Sequence, residues 1–98
     1  MAEQRIQRKN LWRQLSSIKR KGDWIKAAET LGLDVTQPKG GTSHHAIRLP
    51  GYEKNDVHGV VSTVYDPVRK DISEAIFKSL INHGYKEDDI WKALGFLK

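Results

Sequence analysis

The chain has 98 residues, 38% hydrophobic and 30% charged, which is enough for one compact domain and too short for two. It contains no cysteine, which excludes a disulfide framework and any thiolate-held zinc or iron-sulfur site. No apolar run approaches the roughly 20 residues that span a bilayer, and no basic-then-apolar leader opens the chain, so a cytoplasmic protein without a membrane partner is expected.

Seventeen Lys and Arg outnumber twelve Asp and Glu, and the net charge of +5 points to an anionic partner such as nucleic acid. The imbalance is local. Residues 1–21 carry seven cations (Arg5, Arg8, Lys9, Arg13, Lys19, Arg20 and Lys21) against Glu3 alone, whereas residues 22–98 carry ten cations and eleven carboxylates. The chain thus divides into a basic amino-terminal arm, 1–21, and a nearly neutral globule, 22–98. Two readings of the arm stay open: a solvated tail, or a segment that grips nucleic acid.

Leu11, Leu15 and Ile18 recur at i, i+4, i+7, so the arm is expected to form one helix with a narrow apolar stripe, ended by Gly22. Asp23 is placed to cap a second helix, with Trp24, Ala27, Ala28 and Leu31 on one face and Gly32 as its close. From 34 to 66 the prolines and glycines fall too often for a helix, and short strands are expected at 35–37, 44–49 and 60–65. Short connections favour an antiparallel meander. A helix is expected over about 69–83, with Ile72, Ala75, Ile76, Leu80 and His83 on one face, Phe77 and Ile81 widening it, and Gly84 as its stop. In the last helix Glu87, Asp88 and Asp89 sit at the positive end, and Ile90, Trp91 and Leu94 form the buried side. The expected fold is α+β in the order α-α-β-β-β-α-α, a three-stranded antiparallel sheet with helices packed on one face and the other face free to bind.

The segment from Lys39 to Leu49 carries the chemistry. Side chains alternate across a strand, so His45, Ile47 and Leu49 share an apolar, helix-facing side, while His44, Ala46 and Arg48 share the open side. His44 is the functional candidate and His45 the structural one. An imidazole changes charge near neutral pH, so His44 can take the proton of a ribose 2′-hydroxyl or return one to the departing 5′-oxygen. Arg48 can brace the phosphate with its forked donors, Gly40 and Gly41 can offer backbone N–H groups to it, and Lys39 adds a point charge. A one-residue slip in register would exchange the two histidines between faces, so His45 is kept as the reserve. His44, His45 and His58 suggest no metal site, because neighbouring strand residues point to opposite faces and no cysteine or paired carboxylates complete a ligand set. His83 is expected to pair at its helix end, and Trp12, Trp24 and Trp91 are expected to act as packing anchors.

Gly41-Thr42-Ser43-His44-His45 opening a strand, then Val60-Val61-Ser62-Thr63-Val64, then Asp66-Pro67-Val68-Arg69-Lys70-Asp71-Ile72 leading into a helix that ends Asn82-His83-Gly84-Tyr85, together make the segment from about Asp23 to Leu94 resemble the HicA family of toxins from toxin-antitoxin pairs. The resemblance covers about three quarters of the chain. It implies a fold like that of double-stranded-RNA-binding domains and an RNA-cleaving toxin, an mRNA interferase, that needs no metal cofactor. It further implies that the one essential histidine corresponds to His44 and that a HicB-like antitoxin holds the protein inactive. The arm, the longer Gly-Gly-Thr-Ser-His turn and the loop at 51–59 depart from the family pattern.

The leading expectation is therefore an endoribonuclease that holds RNA phosphates with Lys39, Gly40, Gly41, Ser43, Arg48 and Lys70 and uses His44 as its acid-base group. The competing expectation is a non-catalytic nucleic-acid-binding module, whose grip would weaken with salt and would not depend on His44.

Overall fold

A computed structural model describes residues 6–36, 45–52, 59–65 and 67–97. Helix α1 spans Lys9–Arg13 and passes directly into a 3-10 turn, Gln14–Ser17. The single helix expected here is thus two short pieces. Leu11, Leu15 and Ile18 are all buried, and the change of pitch lets this narrow stripe follow the body of the protein.

Helix α2 runs Lys21–Thr30 with Arg20 at its cap position, three residues before the expected cap Asp23, so Gly22 lies inside this helix instead of separating two helices, and Asp23 lies within the first turn. There its carboxylate complements the helix dipole without capping it. The other end follows expectation. Gly32 has φ of +86°, the Leu33 N–H reaches the Ala28 carbonyl, and the Gly32 N–H reaches that of Glu29, a paired closure that needs a left-handed residue. Gly84 closes the next long helix in the same way.

Strands β1 (Asp34–Thr36), β2 (His45–Arg48) and β3 (Val60–Val64) form one antiparallel sheet in the order β1-β2-β3, so the expected meander is present, with β1 starting one residue earlier and β2 and β3 each ending one residue earlier than expected. Asp34 pairs with Arg48 and Thr36 with Ala46, and on the other side His45 pairs with Val64 and Ile47 with Ser62. The register shifts between Ile47 and Arg48, and Val61 is the extra residue of this bulge. It is buried in the core, and its carbonyl accepts the Ser79 hydroxyl, which ties the bulge to the helix behind it.

Helix α3 spans Lys70–Asn82 and α4 spans Glu87–Leu94. The buried face of α3 comprises Ser73, Ile76, Phe77, Leu80 and Ile81, so it is rotated from the expected one: Ala75 and His83 are exposed and Ile72 is half-buried. His83 pairs locally, its Nδ1 lying 2.8 Å from the Ser79 carbonyl oxygen. Trp24 and Trp91 have no exposed surface, and Trp12 meets Phe77 edge-on at 5.4 Å.

One hydrophobic cluster joins Leu11, Leu15 and Ile18 to Trp24, Ile47, Val64, Phe77 and Trp91. Full burial of a side chain of this size is worth about 1.5–3 kcal/mol, so three of them hold the amino-terminal segment far more firmly than any surface ion pair would. From Ile6 onward the basic arm is a layer of the core rather than a free tail. Among the described residues no helix is long and apolar enough to cross a membrane.

Candidate functional site

The sheet register fixes the surroundings of the histidine strand. His45 stands directly opposite Val64, which is fully buried in the helix-facing core, and two residues along the same side of β2 lies Ile47, also fully buried. Directly opposed residues of antiparallel strands place their side chains on the same face, so His45 belongs to the packed face and is half-buried there. His44 precedes it and lies outside the described residues, as do Lys39, Gly40, Gly41 and Ser43.

Arg48 departs from expectation. It falls on the face away from the helix-facing cluster, opposite Asp34, yet only 6% of its surface is exposed. The physical reason is the turn that follows. Gly51, with φ of +90°, reverses the chain so that Tyr52 lies over Gly59, and the Leu49 N–H donates to the Gly59 carbonyl at 2.7 Å. A side chain added at Gly59 would meet the Tyr52 Cβ at 2.6 Å and an Arg48 guanidinium nitrogen at 3.3 Å, so both residues close over this glycine. Arg48 and Tyr52 also line a cleft of about 500 Å³ with Glu29, Leu33, Asp34 and Thr36. Its wall thus holds the Arg48 cation together with two carboxylates. Arg48 is therefore positioned as a packed cation of the sheet end and not as an exposed phosphate brace.

Lys70 is exposed at the first turn of α3, in keeping with a contact to a large anion. The tertiary structure adds neighbours to it. The Val68 N–H donates to the Lys19 carbonyl at 2.9 Å, which lays Lys19 and Arg20 beside Arg69 and Lys70. Compared with protein-family models, with curated proteins and with solved structures, the chain matches none. The site is accordingly built from its own geometry. In sequence Lys19 and Arg20 count with the basic arm and Arg69 with the start of the helix, but their proximity to one another comes from the fold alone. The signal was present in the excess positive charge of residues 1–21, but nothing in the sequence assigns that charge to a place on the surface.

A second cluster carries the shifted acid-base groups. The Glu87 carboxylate, in the first turn of α4, accepts the Gln7 N–H at 2.7 Å, the Arg8 N–H at 2.8 Å and the Trp91 indole N–H at 2.9 Å. Burial pushes this carboxyl up, but the three donors together outweigh burial and hold it below its ordinary range. The Arg8 guanidinium grips Asp88, with Nε 2.8 Å from Oδ1 and Nη2 3.2 Å from Oδ2, and its hydrogen bonds hold the Asp88 carboxyl low while raising Arg8. These groups clasp the amino-terminal segment to α4, so their perturbation has a structural cause. Among the described residues no three His, Asp or Glu side chains gather as a metal-binding group.

Proposed function

We propose that this protein is a HicA-like endoribonuclease of the cytoplasm, with a fold like that of double-stranded-RNA-binding domains, that cleaves mRNA with His44 as its acid-base group and is silenced by a HicB-like antitoxin. The observation that carries the reading is the place of His45. It stands opposite Val64 on the packed side of the sheet and is half-buried there, which supports its sequence neighbour His44 as the acid-base group. The three-stranded meander flanked by helices supports the fold likeness. Attack by a ribose 2′-hydroxyl on the adjacent phosphodiester requires a proton acceptor and then a donor, both of which one imidazole supplies, so the reaction needs no cofactor.

General acid-base help from one side chain is worth about 10²- to 10⁴-fold, so a slow enzyme is expected. The test is incubation of single-stranded RNA with purified wild type, His44→Ala and His45→Ala in excess chelator. Cleavage by wild type and its loss in His44→Ala are expected, with His45→Ala altering mainly stability. Equal cleavage by wild type and His44→Ala would overturn the assignment. The burial of Arg48 favours one alternative, a non-catalytic RNA-binding module, because it withdraws a cation from the side on which His44 was expected to act. Such a module binds RNA and leaves it intact.

A further inference from the structure

Sequence order separates the arm from the start of α3, and the fold reunites them. Burial of Leu15 and Ile18 sets the path of the segment that follows, and the hydrogen bond from the Val68 N–H to the Lys19 carbonyl pins that path against the entrance to α3. Lys19, Arg20, Arg69 and Lys70 are all exposed. The carboxylates close to them in the chain are Asp23, in the first turn of α2, Asp66, Glu74 one turn along α3 from Lys70, and Asp71, whose Oδ1 lies 3.5 Å from the Arg69 Nε. Both partners of that pair are well exposed, and water screens such a contact to little effect. Four exposed cations from two distant segments thus share one stretch of surface.

We propose that Lys19, Arg20, Arg69 and Lys70 form a phosphate-binding tract that holds the backbone of single-stranded RNA and leads it toward the end of the sheet where β2 begins. The choice of RNA as occupant follows from the nuclease reading, and the choice of this surface follows from two observations. Among the described residues the one exposed large hydrophobic side chain is Tyr52, which sits beyond the opposite end of β2. A protein partner would look for an apolar centre, whereas a polyanion needs only spaced cations. The tract also lies close to the strand end that matters. Val64 faces His45 across the sheet, and the five residue steps from Val64 to Arg69 span at most about 18 Å even when fully extended, a distance that a few nucleotides bridge.

The test measures binding of a fluorescent single-stranded RNA of about 20 nucleotides as a function of salt, in the His44→Ala background so that the probe survives. Lys19→Ala/Arg20→Ala and Arg69→Ala/Lys70→Ala are compared with a control of equal charge loss at the start and end of α4, Lys86→Ala/Lys92→Ala, with circular dichroism verifying that each is folded. Each tract pair is expected to weaken binding on the order of tenfold at 0.1 M salt and to reduce the slope of log K against log salt by about 1.4, the value for two lost contacts to a single strand. The control is expected to leave both nearly unchanged. Equal losses in the control, or none in the tract variants, would overturn the tract. Cleavage by the same variants with His44 restored separates the two proposals: RNA bound through the tract but never cut sinks the nuclease and keeps the tract, whereas His44-dependent cutting with undiminished binding by the tract variants does the reverse.

Discussion

The indole N–H of Trp24 donates to the Ser73 hydroxyl at 2.9 Å, and neither residue exposes any surface. This bond joins α2 to α3 through the centre of the molecule and explains why a serine occupies the buried face of α3. Ser73→Ala leaves a buried donor without its acceptor, at a cost of about 1–3 kcal/mol. A lower urea midpoint with an unchanged slope is expected, and an unchanged midpoint would show that the indole finds another acceptor.

The clasp at Glu87 makes stability depend on pH in a defined direction. Its carboxyl is held below the ordinary value of 4.5, so the folded state binds the proton less readily than the unfolded one. The stabilisation is fully present above that value and is lost as pH falls through the lower, folded value. Glu87→Gln is expected to lower the melting temperature at pH 7, by about 4–8 °C for each kcal/mol lost, and the difference from wild type should close in acid. Asp88→Asn should have a smaller effect, because the Arg8–Asp88 pair lies in water. Thermal melts across pH 2.5–7 would check both, and a gap independent of pH would contradict the ionic origin.

Gly59 is needed for its lack of a side chain. A methyl group there would lie 2.6 Å from the Tyr52 Cβ, which sits next to the backbone and cannot swing aside. Gly59→Ala is expected to cost about 1–3 kcal/mol through overpacking. Because the clash is with the first atom of the side chain, Tyr52→Ala should not rescue it and Tyr52→Gly should do so in part, as chemical denaturation of the single and double variants would reveal.

Removal of residues 1–18 is expected to unfold the protein. Leu11, Leu15 and Ile18 are buried, and their loss removes roughly 4–9 kcal/mol from a domain whose whole stability is typically about 5–15 kcal/mol. Leu15→Ala alone should cost about 2–5 kcal/mol. A truncated chain with native circular dichroism and a cooperative melt would contradict this. The role of the arm's charge is therefore to be tested by substitution and not by deletion.

If His44 activates a ribose hydroxyl, an RNA carrying one deoxyribose at the cleaved position should resist cutting there while the rest of the strand stays sensitive, because the nucleophile is missing at that site alone. Gel analysis of such a chimeric strand reads this directly. Cutting at the modified position would exclude the 2′-hydroxyl as the attacking group.

Much of the local structure was legible in the residues. Gly32 and Gly84 close their helices as expected, since a helix end that returns two N–H groups to earlier carbonyls needs a left-handed residue, and glycine adopts that conformation without strain. Alternation placed Ile47 in the core, and the two tryptophans on α2 and α4 are the anchors they were taken to be. The face of α3 was read about one position off, because periodicity follows apolar residues and the buried Ser73 is chosen by a partner 49 residues away. Arg48 was misplaced for a similar reason. Strand alternation says which side of the sheet a residue occupies, but a turn further along the chain determines what covers it.

The sequence by itself determined the α+β class, the three-stranded meander and the three helices from Lys21 onward, because hydrophobic period and glycine position act over a few residues. It also determined that an excess of cations lies near the amino terminus. Only the tertiary structure decided that this segment is part of the core, that Arg48 is covered, and that Lys19 and Arg20 share a surface with Arg69 and Lys70. Those outcomes depend on which buried side chains and backbone groups meet across long stretches of chain, and a linear pattern carries no record of such meetings.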